Sequence, residues 1–286
     1  MRPSVLVQYL LPHRLLSRIV YCATRWTWRP WKDFLIGQIA RRYRVDLSEA
    51  AEPDVAVHAH FNAFFTRALK PGARPQDPDP DAMLCPADGR ISQSGPIRAG
   101  RIFQAKGQDF SPGELLGDET SAVPYADGAF ITVYLSPRDY HRVHMPLAGE
   151  LVGTVHVPGR LFSVAPFAVQ AIPRLFARNE RLVCHFEGEQ GPFAMVLVGA
   201  MLVSSVSTVW GDLEIPPYAA RPNAKDYRGR GIRLARGAEM GRFNMGSTVI
   251  LLLPRGGPQL DAALRPEQAV RVGERIGGYR KADDRQ

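Results

Sequence analysis

The spacing of apolar residues along this chain changes character near residue 80. Before that point apolar positions recur at helical intervals. Leu15, Leu16, Ile19, Val20, Ala23 and Trp26 follow a 3.6-residue period, with Arg14, Arg18 and Arg25 at other positions, which predicts an amphipathic helix over 13–29. Phe34, Leu35, Ile36, Ile39, Ala40 and Tyr43 predict a second helix over 33–44. Phe61, Phe64, Phe65 and Leu69 predict a third over about 55–69. The segments 70–75 and 77–81, dense in Pro, Gly and Asp, then break all periodicity. From about 82 onward short β-type runs alternate with Gly and Pro: 89–93, 129–135, 150–157, 182–187, 193–209, 231–235 and 247–253. The run 193–209 is long enough for two strands or one bent strand, and one helical segment, 166–178, interrupts the series. The pattern predicts an α+β protein: N-terminal amphipathic helices over 1–70, then a mainly antiparallel β-rich body over 71–286.

Charge sharpens this division. The chain has 286 residues and a formal net charge of +8, but residues 1–45 carry nine Lys/Arg against the single acid Asp33, and the rest balances at 27 basic and 27 acidic residues. The basic character belongs to the arm, which needs an anionic partner or surface. Trp26, Trp28 and Trp31 fall within six residues, although the whole chain has four Trp. Tryptophan favours the headgroup level of a bilayer, and each Lys/Arg near an anionic surface contributes about 1 kcal/mol. With this much Leu and Ile, the arm reads as a helix lying in a membrane interface rather than a nucleic-acid arm. No run reaches the ~18 apolar residues of a spanning helix, and the start lacks the marks of a cleaved signal peptide. Cys22, Cys85 and Cys184 form neither a disulfide framework nor a zinc motif, which fits a reducing compartment.

The candidate chemistry lies in three places. Gly246-Ser247-Thr248 opens the apolar run 249–253. The hydroxyl of Ser247 is within reach of the Gly246 carbonyl, and attack there would exchange the amide for an ester. Serine needs a base for this. Loss of the Ser247 α-proton would expel the ester as a carboxylate and leave dehydroalanine, which hydrolyses to a pyruvoyl group. His141 and His144 lie in the segment 136–146, and Asp88 lies in Pro86-Ala87-Asp88-Gly89. A histidine oriented by an aspartate can activate a hydroxyl. Two His three residues apart with no obvious third ligand argue against a metal.

At these places, and at Phe61 through Arg67, Gln104 through Gly107, Val157 through Val164, Leu175 through Arg181 and Glu239 through Phe243, the sequence resembles the pyruvoyl-dependent phosphatidylserine decarboxylases. The resemblance covers about 60–255 and extends loosely into the arm. It implies a self-processing proenzyme cut between Gly246 and Ser247 into a large chain, 1–246, and a small chain, 247–286. Ser247 becomes the pyruvoyl cofactor, with no metal. His144 activates Ser247, Asp88 orients His144, and His141 serves decarboxylation. Phosphatidylserine becomes phosphatidylethanolamine and CO2 through a Schiff base with the pyruvoyl. A homodimer on the cytoplasmic face of the cell membrane is also implied, with Arg14, Arg18, Arg25 and the three Trp contacting lipid. Met245 stands where the family often has Leu. The tail beyond Pro254 resembles the family least and receives no function.

Two other readings use the same residues. One is a Ser-His-Asp hydrolase acting on an external ester or amide. It lacks the second Gly of a G-x-S-x-G elbow, and a strand rather than a helix follows Ser247. The other is a non-enzymatic peripheral membrane-binding protein, which explains the arm but leaves the three motifs unconnected.

Overall fold

The computed structural model describes residues 3–202, 205–216, 220–245 and 248–279. Three helices open the chain: α1 (Pro3–Leu10), α2 (His13–Arg25) and α3 (Arg29–Tyr43). Trp26 is extended and ends α2, and Pro30 in the first turn of α3 suits a position whose N–H has no helical partner. The helix expected over 55–69 is reduced to α4 (Phe61–Phe65). It starts where the His60 side chain accepts a hydrogen bond from the Ala63 amide, and it stops before Leu69, which bridges back to Ala50. α4 buries Phe61, Phe64 and Phe65 against Ile36 of α3.

The body is built on an antiparallel sheet with the spatial order Asn223–Asp226, Gly149–Val157, Arg181–Gly188, Gly191–Val198, Thr248–Leu253, Ala129–Tyr134, Gly89–Pro96 and Ala269–Val270, with Arg233–Leu234 also pairing Gly149–Val157. Thr248–Leu253 is central and fully buried, hydrogen-bonded on one edge to Ala129–Tyr134 and on the other to Gly191–Val198. Side chains on its two faces enter different cores: Val249, Leu251 and Leu253 one, Ile250 and Leu252 the other. This explains a continuous apolar run in place of alternation. A second sheet, in the order Asp212–Ile215, Val206–Thr208, Glu239–Phe243 and Arg142–His144, stands beside the first. The run 193–209 therefore divides between two sheets. The segment 166–178 forms two short helices, Pro166–Val169 and Leu175–Arg178, because Pro173 and the left-handed Arg174 (φ 53°) interrupt it.

The arm is docked on this body. Val5 of α1 is fully buried in the core that also holds Phe162 and Val164. The Leu161 amide donates to His13 Nδ1, the Ser163 amide to Gln8 Oε1, and Arg160 to the Tyr9 carbonyl. No described helix is long and apolar enough to cross a membrane.

Candidate active site

The junction Gly246–Ser247 lies outside the described residues, so the site is defined by what flanks it. On the incoming side, Glu239–Phe243 pairs with Arg142–His144, setting Glu239 opposite His144. The Phe243 amide donates to the His141 carbonyl (3.0 Å). On the outgoing side, Thr248 pairs with Tyr134, the last residue of the strand from which the loop 135–141 departs. The segment carrying both histidines thus leaves from one side of the junction and returns on the other. Met245, next to the junction, has φ 148°, a region that residues with a Cβ rarely adopt.

His141 is completely buried, with its ring against Phe65 (centroids 3.9 Å apart). Its Nδ1 donates to the Asp139 carbonyl at 2.8 Å. A carbonyl can only accept, so the proton sits on Nδ1 and Nε2 carries a lone pair. That Nε2 is buried with no hydrogen-bond partner among the described residues. Burial pushes the His141 pKa down to about 3, so the ring is neutral at physiological pH. His144 follows the same logic. Its Nδ1 donates to the Gly237 carbonyl (2.9 Å), and the Tyr140 hydroxyl donates to its Nε2 (3.3 Å). Burial lowers the His144 pKa, so it too is neutral and basic at Nε2. The Tyr140 phenol is pushed up to about 12 by burial and stays protonated.

Asp88 is placed otherwise than expected. Its carboxylate accepts from Arg74 Nε at 2.9 Å and from the Val272 amide at 2.9 Å. Arg74 also bonds Glu49 (2.8 Å), which bonds Arg271 (3.0 Å). Instead of a direct Asp88–His144 hydrogen bond, Gly237 and Tyr140 fix the His144 ring, and Asp88 reaches it only as a nearby negative charge that favours its protonated form. Asp88 sits at the head of the strand Gly89–Pro96, not in a free turn. A Cβ at Gly89 would collide with the Tyr134 carbonyl, which explains the glycine after Asp88.

Several contributors carried no sequence signal of their own. Asn244 Nδ2 donates to Ser205 and Ser207 (3.1 and 2.8 Å), and Asn62 Nδ2 donates to Asn244 Oδ1 (3.2 Å). Together they tether the incoming strand to α4 and to the second sheet. Among the described residues Thr248 Oγ1 and Asn62 Oδ1 are buried without a partner, as is His141 Nε2. Unsatisfied buried polar atoms are costly. Thr248 adjoins Ser247 in sequence, so these atoms fit a site that completes its hydrogen bonds with a polar carbonyl group and its substrate. Among the described residues no cluster of His, Cys, Asp and Glu could hold a metal ion.

An apolar cavity of about 390 Å³ opens beside the junction, lined in part by Ile39 and Tyr43 of α3, Phe61, Phe65, Leu202 and Met245. Above it, α2 turns an unusual face to solvent. Its buried residues are His13, Ser17 and Thr24, while Leu15 and Ile19 are 57% and 56% exposed. Trp26 and Trp28 pack with their rings tilted by 32° and centroids 5.4 Å apart and are 54% and 55% exposed, and Leu10 is 80% exposed. Trp31 is half-buried and donates its ring N–H to the Ala23 carbonyl (2.8 Å). Arg14 and Arg18 lie on the exposed side, whereas Arg25 turns inward over the Tyr21 ring and toward Ser205.

An antiparallel body carrying two neutral histidines on the segment between Tyr134 and His144, under a helical arm that leaves apolar side chains exposed, defines a candidate catalytic body with a helical cover. Comparison with known proteins places it. The phosphatidylserine decarboxylase family model matches residues 61–278, and a second model, described as PSD, matches residues 3–44. The phosphatidylserine decarboxylase proenzyme of Xanthomonas campestris pv. campestris (strain B100) is 62% identical over 268 residues, covering 94% of this chain and 95% of that protein. The proenzyme of Xylella fastidiosa (strain M23) is 59% identical over 272 residues, covering 94% and 92%. The chain belongs to the phosphatidylserine decarboxylase family. The family match runs past Pro254 to residue 278 and so includes the tail, which supplies the Val272 amide to Asp88.

Proposed function

We propose that this chain is a phosphatidylserine decarboxylase proenzyme that cuts itself between Gly246 and Ser247 and converts phosphatidylserine to phosphatidylethanolamine and CO2. The neutral Nε2 of His144 accepts the Ser247 hydroxyl proton, with Tyr140 as the neighbouring proton relay. The serine oxygen bonds the Gly246 carbonyl carbon, the C–N bond breaks, and the protonated nitrogen becomes the amine of residue 247. Removal of the Ser247 α-proton then breaks the Cβ–O bond and releases the Gly246 carboxylate. Water replaces the nitrogen, which departs as ammonia, and residue 247 is left as a pyruvoyl group. That group supplies an electron sink for the pair released when the substrate carboxylate leaves as CO2.

The chain's own residues do the rest. His141, buried against Phe65, serves decarboxylation through its unprotonated Nε2, which takes a proton from the substrate ammonium and returns it to the carbon that CO2 leaves. The apolar cavity by Met245 takes acyl chain. Residues 1–70 act as the membrane-associating arm, with Trp26, Trp28, Arg14 and Arg18 toward an anionic bilayer, Trp31 bracing the pair and Arg25 joining arm to body. This makes the protein peripheral, on the cytoplasmic face of the cell membrane, with residues 71–286 as the catalytic domain and a homodimer as the assembly.

The observation that carries the reading is the pair of neutral histidines whose unprotonated nitrogens are both Nε2, on the segment whose ends pair with the strands on either side of residues 246–247. Its test is the intact mass of purified protein under denaturing conditions, before and after a carbonyl-reactive amine. Two chains divided at Gly246/Ser247, the smaller shifting with the amine, are expected. A single uncut, unreactive chain from an active preparation sinks the reading. The hydrolase alternative gains nothing from the fold, because a buried central strand follows the serine in place of the helix of a nucleophile elbow.

A further inference from the structure

Between the C-terminal end of α3 and the loop 136–139 lie two neighbouring cavities of about 310 and 430 Å³, which share Arg44, Arg90, Arg138 and Asp139. Arginine dominates their walls, and the charges there are unevenly neutralised. Arg74 and Arg271 bind Asp88 and Glu49. The Asp139 carboxylate is taken by the Ser136 amide and hydroxyl, both at 2.7 Å, and lies 3.7 Å from Arg138. Arg42, Arg44, Arg67 and Arg90 have no carboxylate within ion-pair distance among the described residues. Arg90 spends one nitrogen on the Glu267 carbonyl (2.7 Å).

Arg67 is the decisive member. It is only 6% exposed, and among the described residues its Nε has no hydrogen-bond partner while its Nη2 donates a long 3.4 Å bond to the Arg138 carbonyl. Burial lowers its pKa even though the Asp88, Asp46 and Asp139 carboxylates nearby favour the charged form, so these more distant charges do not offset its desolvation. A buried guanidinium is stable only when its charge and its donors are met, and a tetrahedral oxyanion meets both bidentately.

The larger cavity also shares Tyr43 and Tyr134 with the apolar cavity beside Met245. The cationic and apolar cavities are therefore neighbours, with Tyr43 and Tyr134 lining both.

We propose that this arginine basin binds a phosphate group, and specifically the phosphodiester of a glycerophospholipid whose acyl chain enters the apolar cavity. The lipid half rests on the decarboxylase reading, and the phosphate half does not. Arg42 and Arg44, at the end of the last arm helix, close the basin from the membrane side. Lipid binding thereby links the arm to the loop that carries the histidines.

The test is calorimetric titration of the full-length processed protein with dihexanoylphosphatidylglycerol, a soluble non-substrate, and separately with inorganic phosphate. Arg44→Gln and Arg90→Gln are compared with Arg255→Gln, an exposed control outside the basin. Each basin variant is expected to weaken lipid binding about tenfold, the loss of one charge-assisted contact, with the control unchanged. Inorganic phosphate should bind more weakly but with the same arginine dependence. Wild-type affinity in both basin variants overturns the site. Phosphate binding as tightly as the lipid overturns the lipid half and leaves an anion site. Arginine-dependent binding by a protein that does not decarboxylate phosphatidylserine refutes the decarboxylase reading and spares the basin. Decarboxylation with binding unaltered in both variants does the reverse.

Discussion

The body and the arm obey opposite rules about which side chains meet water. In the body, all six residues of Thr248–Leu253 are buried, and the apolar side chains of its neighbours enter two cores. In α2 the polar His13, Ser17 and Thr24 face inward, while Leu15 and Ile19 face out. Fully burying a side chain of this size is worth about 1.5–3 kcal/mol. An inverted helix in water alone forgoes that gain at every exposed apolar position. What holds the arm is polar, through Gln8, the Tyr9 carbonyl and His13 meeting the segment 160–163, together with the buried Val5. The body buries its apolar side chains, whereas α2 leaves its own in water, and the membrane-associating role proposed for the arm rests on that difference. The site lies where arm and body meet: Phe65 of α4 packs on His141, and Asn62 ties α4 to Asn244.

Two substitutions break this comparison, one on each side. His144→Ala removes the neutral Nε2 and should slow self-cleavage by about 100-fold or more, the usual worth of a positioned base. Intact mass against time after expression reads this, and affinity for anionic vesicles should not change. Cleavage at the wild-type rate removes His144 from the reaction. Trp26→Ala combined with Trp28→Ala acts on the other side. The two rings are half exposed, so each should contribute about 1 kcal/mol to membrane partition, and their joint loss should weaken vesicle binding on the order of tenfold to a hundredfold. Flotation with anionic liposomes measures it. Self-cleavage should proceed normally, and equal vesicle binding by the double variant would show that the exposed aromatic face is not a membrane face.

The sequence made the change from helices to a β-sheet body legible, because a 3.6-residue period before 45 gives way to short β-type runs after 82. It also marked Asp88, His141, His144 and the junction, because Asp, His and Ser carry their chemistry in their names. What it hid is relational. Arg74 becomes the partner of Asp88 only when the fold closes 14 residues of chain, and the Val272 donor is a backbone amide 184 residues away that any residue but proline supplies. The Gly237 carbonyl that fixes the His144 tautomer is equally anonymous. α4 came out shorter than its periodicity suggested, because the His60 cap and the Leu69 bridge to Ala50 overrode the local pattern.

Tyr140 refines the body side of the comparison. Its hydroxyl is the one side-chain donor to His144 Nε2, and burial keeps it protonated. Tyr140→Phe removes that hydroxyl and keeps the ring beside the imidazole. The base remains, so self-cleavage should slow only about tenfold or less, in proportion to one neutral hydrogen bond. Loss of processing as complete as in His144→Ala would make Tyr140 a principal proton carrier.

The smallest expected effect lies in the pH dependence of self-cleavage, and its sign follows from burial. An unperturbed histidine has lost half its neutral form at pH 6.5. The pKa of His144 is lowered below that value, chiefly by desolvation, so its neutral fraction, and with it the rate, should fall through half of its plateau only in buffer more acidic than pH 6.5. Stability runs in the same direction for His141. Its folded pKa of about 3 lies below the unfolded 6.5, so between those values the unfolded chain binds more protons. Folding stability is then complete above pH 6.5 and is lost progressively as pH falls toward 3. The two effects are separable, because the first is read from the rate of chain division in folded proenzyme and the second from denaturant midpoints of the processed enzyme. A processing rate already halved at or above pH 6.5 would mean that the titrating base is not the buried His144. The groups facing solvent in the arm should leave both profiles unmoved, since the Trp26→Ala, Trp28→Ala variant alters only the exposed face of the arm.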